Sequence, residues 1–290
     1  MTDKTEKNGA GNEARTRDLN LGKVASQRAE VSESHRYSPK SPEDRTARNA
    51  KVLSDEQLEA FDVEYIGPDK WAHVRHCIDV DFSDAFSMLD VGGGNGAFAD
   101  RVLKSYPRSR VTVLDLSEML LARNKPHLSK EVVVGSATEL GRVKQRFDII
   151  SINWVLHHLV TDSYATTIEN IVETLRQAAR LLLPGGRISI WDNLYDGLAV
   201  DIAPSRLIYA LTSMRAAASL VRMGGANTAG VGVCFQSERR WRRHFAAAGL
   251  RIEAARAMRP FEKPVWKHAV YGAALHLRPV RPAHFWLSAR

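Results

Sequence analysis

Two carboxylates flank a glycine turn in this chain. Asp90 ends the apolar stretch Met88-Leu89-Asp90-Val91, and Asp115 closes the next one, Arg110 to Leu114. Between them lie Gly92, Gly93, Gly94 and Gly96, and a helix is expected from Ala97 to Ser105, before Pro107. An apolar strand that passes through glycines into a helix offers backbone N–H groups and the positive helix end to a ligand; glycine lets that ligand lie on the main chain. The acid at Asp90 suits a positively charged group better than a pyrophosphate. Asp115, about twenty residues beyond the glycines, is placed to accept hydrogen bonds from both hydroxyls of a ribose. The glycines alone leave two chemistries open, because Gly92, Gly94 and Ala97 also satisfy the dinucleotide spacing G-x-G-x-x-G/A.

A second constellation lies downstream. Phe147 to Ile152 is apolar on both faces, as a central parallel strand must be, and it delivers Asn153 and Trp154 at the end where open α/β sheets bind ligands. His157 and His158 are adjacent, so they cannot both face a pocket. His157 is taken as the pocket residue and candidate general base, and Asp192, beyond the next strand, is a second catalytic candidate. Asp192, Tyr195, Asp196 and Trp154 read together as an anionic, aromatic pocket that tolerates a cationic product, with Arg206 to hold a carboxylate.

The elements that must carry these residues alternate strand and helix. Strands are expected at Arg110–Asp115, Glu131–Val134, Phe147–Asn153, Arg187–Trp191, Leu250–Ala257 and Val265–Leu277. An apolar stripe through Ile168, Ile171, Val172, Leu175 and Leu182 marks a helix from Tyr164 to Leu183, stopped by Pro184-Gly185-Gly186. Ser237 caps another helix that closes at Gly249.

Several segments, in order, resemble class I S-adenosylmethionine-dependent methyltransferases of the small-molecule branch. They are the glycine turn after Asp90; Asp115-Leu116-Ser117-Glu118-Met119-Leu120, with Ser117 as N-cap; Val155-Leu156-His157-His158-Leu159; and Leu181 to Ile190, reading LLLPGGRISI. The resemblance implies an α/β, doubly wound Rossmann-like sheet of about seven strands with the last strand antiparallel. It implies S-adenosylmethionine as cofactor, held by Asp90, Gly92, Gly94, Gly96, Asp115, Leu116, Ser136, Ala137, Asn153 and Trp154. Ser136 departs from the family, which usually carries an acid there for the adenine amino group. By the same resemblance, helices over 51–85 form a lid with Tyr65, Lys70 and Trp71 as candidates, and an insertion over 192–236 recognises the methyl acceptor within a domain spanning 86–290.

Composition bounds the rest. The chain has 290 residues, 44% hydrophobic and 26% charged, which is ordinary for a globular domain. Residues 1–50 are too polar to build a core and are expected to be a disordered tail. Order is expected to begin at Ser54, which with Gln57 forms a capping box ahead of Leu58, Phe61, Val63 and Tyr65. The polar N-terminus lacks the apolar core of a signal peptide, and no apolar run reaches membrane-spanning length, so a cytoplasmic protein with no membrane partner is expected. Cys77 and Cys234 give no disulfide framework. His73, His76 and Cys77 are spaced like ligands on one helix, but no other segment completes a coordination shell, and no metal is expected. The net charge of +8 gathers in arginines near the C-terminus and reads as a solvated face, which makes nucleic acid an unlikely partner. A homo-oligomer stays open.

The function expected is methyl transfer to a small molecule, an amine or thioether such as an amino acid, with methionine among the options. The alternatives are an RNA methyltransferase, and a methyltransferase-like protein that binds without catalysis.

Overall fold

The computed structural model describes residues 66–214, 230–262 and 272–290, together with positions 50, 51, 53, 54, 57, 58, 228 and 270. Residues 1–49 of the tail expected over 1–50, together with Phe61, Val63, Tyr65 and most of the glycine-rich stretch from Gly224 to Gly230, fall outside them. Ser54 and Gln57 form the capping box read from sequence: the Ser54 N–H donates to Gln57 Oε1 at 3.1 Å, and the Gln57 N–H donates to Ser54 Oγ at 3.3 Å.

Seven strands run in chain order as β1 (Ser87–Val91), β2 (Arg110–Asp115), β3 (Lys130–Val134), β4 (Phe147–Asn153), β5 (Leu182–Leu194), β6 (Leu250–Ala257) and β7 (Arg281–Ala289). They form one sheet in the order β3-β2-β1-β4-β5-β7-β6, with β7 antiparallel to both neighbours. The helices are α1 (Pro68–Asp81), α2 (Ala97–Ser105), α3 (Glu118–Leu121), α4 (Tyr164–Arg180), α5 (Ala203–Ser213) and α6 (Glu238–Ala247). No described helix is long and apolar enough to cross a membrane.

Period-two alternation sends neighbouring strand residues to opposite layers. Leu89, Val91, Ile150 and Ile152 pack with Ile171 and Leu175 of α4 and Trp241 and Phe245 of α6. Met88, Val113 and Ile149 pack with Val74 and Ile78 of α1 and Phe98 and Val102 of α2. Ile149 and Ile150 are both fully buried, one to each layer, and each contributes about 1.5–3 kcal/mol of apolar burial. Helix starts follow local chemistry. Ser117, Ser163 and Ser237 each cap the following helix by accepting a backbone N–H with the side chain.

Two expectations need correction. The last strand lies at Arg281–Ala289; of the span Val265–Leu277 expected to hold it, residues 265–269 and 271 lie outside the described residues and 272–275 are helical. Pro282 argues against an interior strand there, but it falls at the strand's second residue, where its missing N–H is tolerated. The fifth strand begins at Leu182, well before Arg187. Gly185, at φ +81°, absorbs the expected break inside the strand, and the register opposite Phe147 and Ile149 shifts to accommodate it. The strand also runs on to Leu194, which draws Asp192 into the sheet beside β7.

β1 is paired with β2 on one side and β4 on the other. The chain winds outward from β1 to β3 and then returns to β4, so the C-terminal ends of β1 and β4 flank the switch point where such sheets bind ligands.

Candidate active site

A cavity of about 1160 Å³ opens at that switch point. Of the sequence-assigned cofactor residues, Asp90, Gly92, Gly94, Asp115, Leu116, Ser136, Ala137, Asn153 and Trp154 all line it, and so do Gly93 and His157. Gly96 and Asp192 stand outside its wall. Gly96 instead caps α2 in the left-handed conformation (φ +73°), where a side chain would run into Asn124.

The turn is held by its two acids. Asp115 accepts the Gly94 N–H on Oδ2 at 2.9 Å and the Ser117 N–H on Oδ1 at 2.8 Å, which fixes the carboxylate and leaves each oxygen a further lone pair for a ribose hydroxyl. Burial raises its pKa above the ordinary value, against the pull of those backbone donors. Asp90 is 1% exposed, and burial, then the charge of Asp115, push its pKa up to about 7. A Cβ on Gly93 would meet Asp90 Oδ2 at 2.5 Å, so only glycine passes over that carboxylate. Among the described residues, Asp90 Oδ2 and Asn153 Oδ1 are buried with no hydrogen-bond partner. Unpartnered buried acceptors at a cavity wall call for a ligand rich in donors and positive charge. S-adenosylmethionine, with an ammonium, a sulfonium and a ribose diol, fits this set.

The end that the resemblance assigns to adenine is less polar than the family pattern. Ser136 Oγ accepts the Thr138 N–H at 3.2 Å and lies 2.9 Å from Thr138 Oγ1, so it serves chiefly as the cap of a short 3₁₀ turn over Ala137–Arg142. Leu116, 48% exposed, supplies apolar surface at this end.

Across the cavity, β4 ends in a strained step: Trp154 adopts φ 56°, unusual for a bulky residue. Its N–H donates to the Trp191 carbonyl at 2.8 Å, its indole N–H donates to Asn193 Oδ1 at 3.1 Å, and its ring stacks on Trp191 with centroids 5.8 Å apart. Lys70 lies over the outer face of Trp154, 4.9 Å from the ring centre, and burial lowers its pKa. Trp71 packs edge-on against Phe98 and is not part of the cavity wall. Helix α1, from the segment expected as a lid, is seated on the sheet through His73, Val74, Cys77 and Ile78.

His157 and Asp192 come together. His157 Nδ1 lies 2.8 Å from Asp192 Oδ1; the two residues are 4% and 0% exposed. Asp192 Oδ1 also accepts the Asn193 N–H at 2.7 Å. The imidazole is held in place by Phe235, whose ring lies 4.3 Å away, and Phe235 in turn stacks on Tyr195 at 4.1 Å. Burial and the Asp192 charge keep the Tyr195 phenol well above its ordinary pKa, so it stays neutral. The rest of this end is lined mainly by apolar side chains, Ile208, Leu211, Val233, Phe235, Leu277 and Val280, with Thr212, Thr228 and Arg278 among them. Phe235 and Val280 carried no spacing signal; they reach the site only through the tertiary fold.

The remaining expected acceptor residues are engaged elsewhere. Asp196 pairs with Arg281 at 2.6 Å and accepts the Glu238 N–H at 3.0 Å. The guanidinium of Arg206 lies 5.5 Å from the centre of the Tyr164 ring. Neither lines the cavity.

The strand order, with its single antiparallel member, and a glycine cradle edged by two acids define the fold of a class I S-adenosylmethionine-dependent methyltransferase. Residues 89–188 match the Methyltransf_12 family of methyltransferase domains. The chain is 31% identical over 110 residues to the ubiquinone/menaquinone biosynthesis C-methyltransferase UbiE of Dinoroseobacter shibae, covering 36% of this chain and 40% of that protein. It is 32% identical over 124 residues to the demethylspheroidene O-methyltransferase of Rhodobacter capsulatus, covering 43% of this chain and 30% of that protein. These matches span less than half the length of either relative. The solved structure of the mitomycin 7-O-methyltransferase MmcR is similar over 72% of this chain and 50% of that chain, with 23% identity and a TM-score of 0.46.

Proposed function

We propose that the protein is an S-adenosylmethionine-dependent methyltransferase whose acceptor is a small, largely apolar molecule methylated at an ionisable hydroxyl. The observation that carries this reading is the buried His157–Asp192 pair, 2.8 Å apart, at the apolar end of the cavity. A neutral amine or thioether needs no base once its lone pair faces the methyl group, whereas a phenol or enol must lose a proton. Asp192 anchors Nδ1 and leaves Nε2 to take that proton; the carboxylate then stabilises the imidazolium that forms. In these roles His157 is the base and Asp192 a positioning residue.

S-adenosylmethionine, when bound, supplies a methyl group already activated by its positively charged sulfur. The chain's own contribution is alignment and exclusion of water. Asp90 and Asp115 fix the nucleoside, Trp154 and Lys70 close one side, and the apolar wall around Phe235 presents the acceptor oxygen to His157. The amine or thioether reading draws on Asp192, Tyr195, Asp196 and Trp154, and its amino-acid form, methionine included, adds Arg206; of these, Asp196 pairs with Arg281 and Arg206 lies over Tyr164, both away from the cavity. The names of the UbiE relatives favour a second reading, methylation at a carbon made nucleophilic by a neighbouring hydroxyl, which uses the same proton removal.

Purified protein incubated with labelled S-adenosylmethionine and a panel of phenols, hydroxyquinones and amino acids tests the proposal. Label in an apolar hydroxyl compound is the expected result, and mass spectrometry of the product separates oxygen from carbon methylation. Label confined to amino acids, or cofactor binding by calorimetry with no transfer to any member, overturns it.

A further inference from the structure

We propose that His73, Cys77 and His284 form a buried binding site for a thiophilic metal cation, zinc first among them, that fastens α1 to the sheet. His73 and Cys77 are one helical turn apart on the same face of α1. The helix alone offers an incomplete set; the fold adds His284 from β7, more than two hundred residues downstream. The ligating atoms of the three residues all lie within 4.8 Å of one another. A tetrahedral zinc ion needs its ligand atoms about 3.5 Å apart, so closure asks for about an ångström of side-chain movement.

The polar groups here are unusual for a core. His73 is 9% exposed, Cys77 6% and His284 0%. Among the described residues, His73 Nε2 and His284 Nδ1 are buried with no hydrogen-bond partner, although their rings lie 4.9 Å apart. Two facing imidazoles that leave these nitrogens unpaired are a costly way to fill space, and a shared cation satisfies both. The outer shell is present as well. His284 Nε2 is 2.9 Å from Ser189 Oγ, and if it donates there, the Nδ1 lone pair points into the cluster, the arrangement metal-binding histidines use.

The surrounding charges are mixed. Arg256 faces His284 across the β6–β7 register, His76 stands on α1, and Asp81 closes α1 while bonded to Arg187 and Trp286. Burial lowers the pKa of both histidines and so keeps them neutral and able to ligate. It also raises the Cys77 thiol to about 11, so metal binding releases the thiol proton. Trp191 lies 5.0 Å from the His284 ring and stacks on Trp154, a wall residue of the cavity, while Lys70 of the same helix lies over Trp154.

The test uses full-length, chelator-stripped protein and needs no methyl-transfer assay, so its failure is distinct from failure of the proposed activity. Titration with cobalt(II) is expected to produce a thiolate-to-cobalt charge-transfer band that saturates at one equivalent and is displaced by zinc. Zinc is expected to protect Cys77, but not Cys234, from alkylation, as read by peptide mass spectrometry. Cys77→Ser abolishes the band and His284→Gln weakens binding at least tenfold. Should either variant fail to fold, the alkylation pattern of the unmodified chain decides. No saturable band, a band that survives Cys77→Ser, or equal alkylation of Cys77 with and without zinc overturns the site.

Discussion

The two ends of the cavity are built by different means. The end proposed for the cofactor is main chain and carboxylate: Gly92 to Gly94 present the backbone, and Asp90 and Asp115 edge it, all within one strand-turn-helix-strand unit. The other end is side chain: Ile208 comes from α5, Phe235 from the approach to α6, and Leu277 and Val280 from the approach to β7. A backbone cradle admits little variation, because a Cβ at Gly93 already meets a carboxylate. A wall of separate side chains can be recut residue by residue without disturbing the sheet. The same division is expected in mutants: changes at one end move cofactor affinity, and changes at the other move acceptor KM or the chemical step.

The largest effect is expected at the junction. Replacing His157 with Gln removes the base while keeping a side chain of similar reach, and kcat on a hydroxyl acceptor should fall by about 10²–10⁴ with cofactor Kd unchanged. Asp192→Asn should do less and should alter the pH profile, since it disturbs the orientation of His157 and not the proton acceptor itself. Loss of cofactor binding in His157→Gln would break the division. Next in size is Asp115→Ala. Its carboxylate holds the Gly94 and Ser117 amides and is assigned the ribose. Charge-assisted hydrogen bonds of about 1.5–3 kcal/mol each imply a cofactor Kd about 10²-fold weaker or more by calorimetry, with Asn intermediate.

Asp90 gives a pH-dependent version of the same contrast. Its pKa in the ligand-free fold is about 7, above the ordinary carboxylate value of about 3.9 in an unfolded chain. The folded state therefore holds the proton more tightly, and the stability this confers is complete below pH about 4 and lost as pH rises through about 7. Cofactor affinity runs the other way, because a cationic ligand needs the ionised acid. Affinity should weaken by up to about tenfold per pH unit below 7, and Asp90→Asn should flatten that dependence while raising the Tm of the ligand-free protein at pH 8. Parallel pH curves for Asp90→Asn and the unmodified chain would remove Asp90 from the cofactor site.

The same division explains how much could be read from sequence. The β1 turn, Asp115 and the end of β4 were legible because each is a local pattern in which residue types follow from backbone geometry. The His157–Asp192 pair was legible as two candidates, since each lies just beyond an apolar strand. Asp196 and Arg206 have chemistry suited to an acceptor, but they lie off the cavity beside Arg281 and Tyr164, partners set by tertiary packing that no local spacing reveals. The last strand escaped for a related reason. Arg281–Ala289 becomes a strand through pairing with β5 and β6 on both sides, which no local spacing reveals. The metal site proposed above followed the same logic, visible on one helix and completed from a strand far along the chain.

The smallest effect discriminates most finely between an apolar and a polar acceptor. Ile208 is 8% exposed and lines the cavity from α5. Ile208→Val removes one methyl group from that wall, at a cost of about 0.5–1.5 kcal/mol to the fold. If the acceptor lies against this wall with apolar surface, losing one contact of about 0.8 kcal/mol should raise acceptor KM about fourfold and leave kcat and cofactor Kd unchanged. A polar acceptor held by hydrogen bonds elsewhere would not register the missing methyl. An unchanged KM would therefore leave the cofactor end as drawn and take the apolar surface out of acceptor recognition, while a matching loss in cofactor affinity would show that the two ends are not separate.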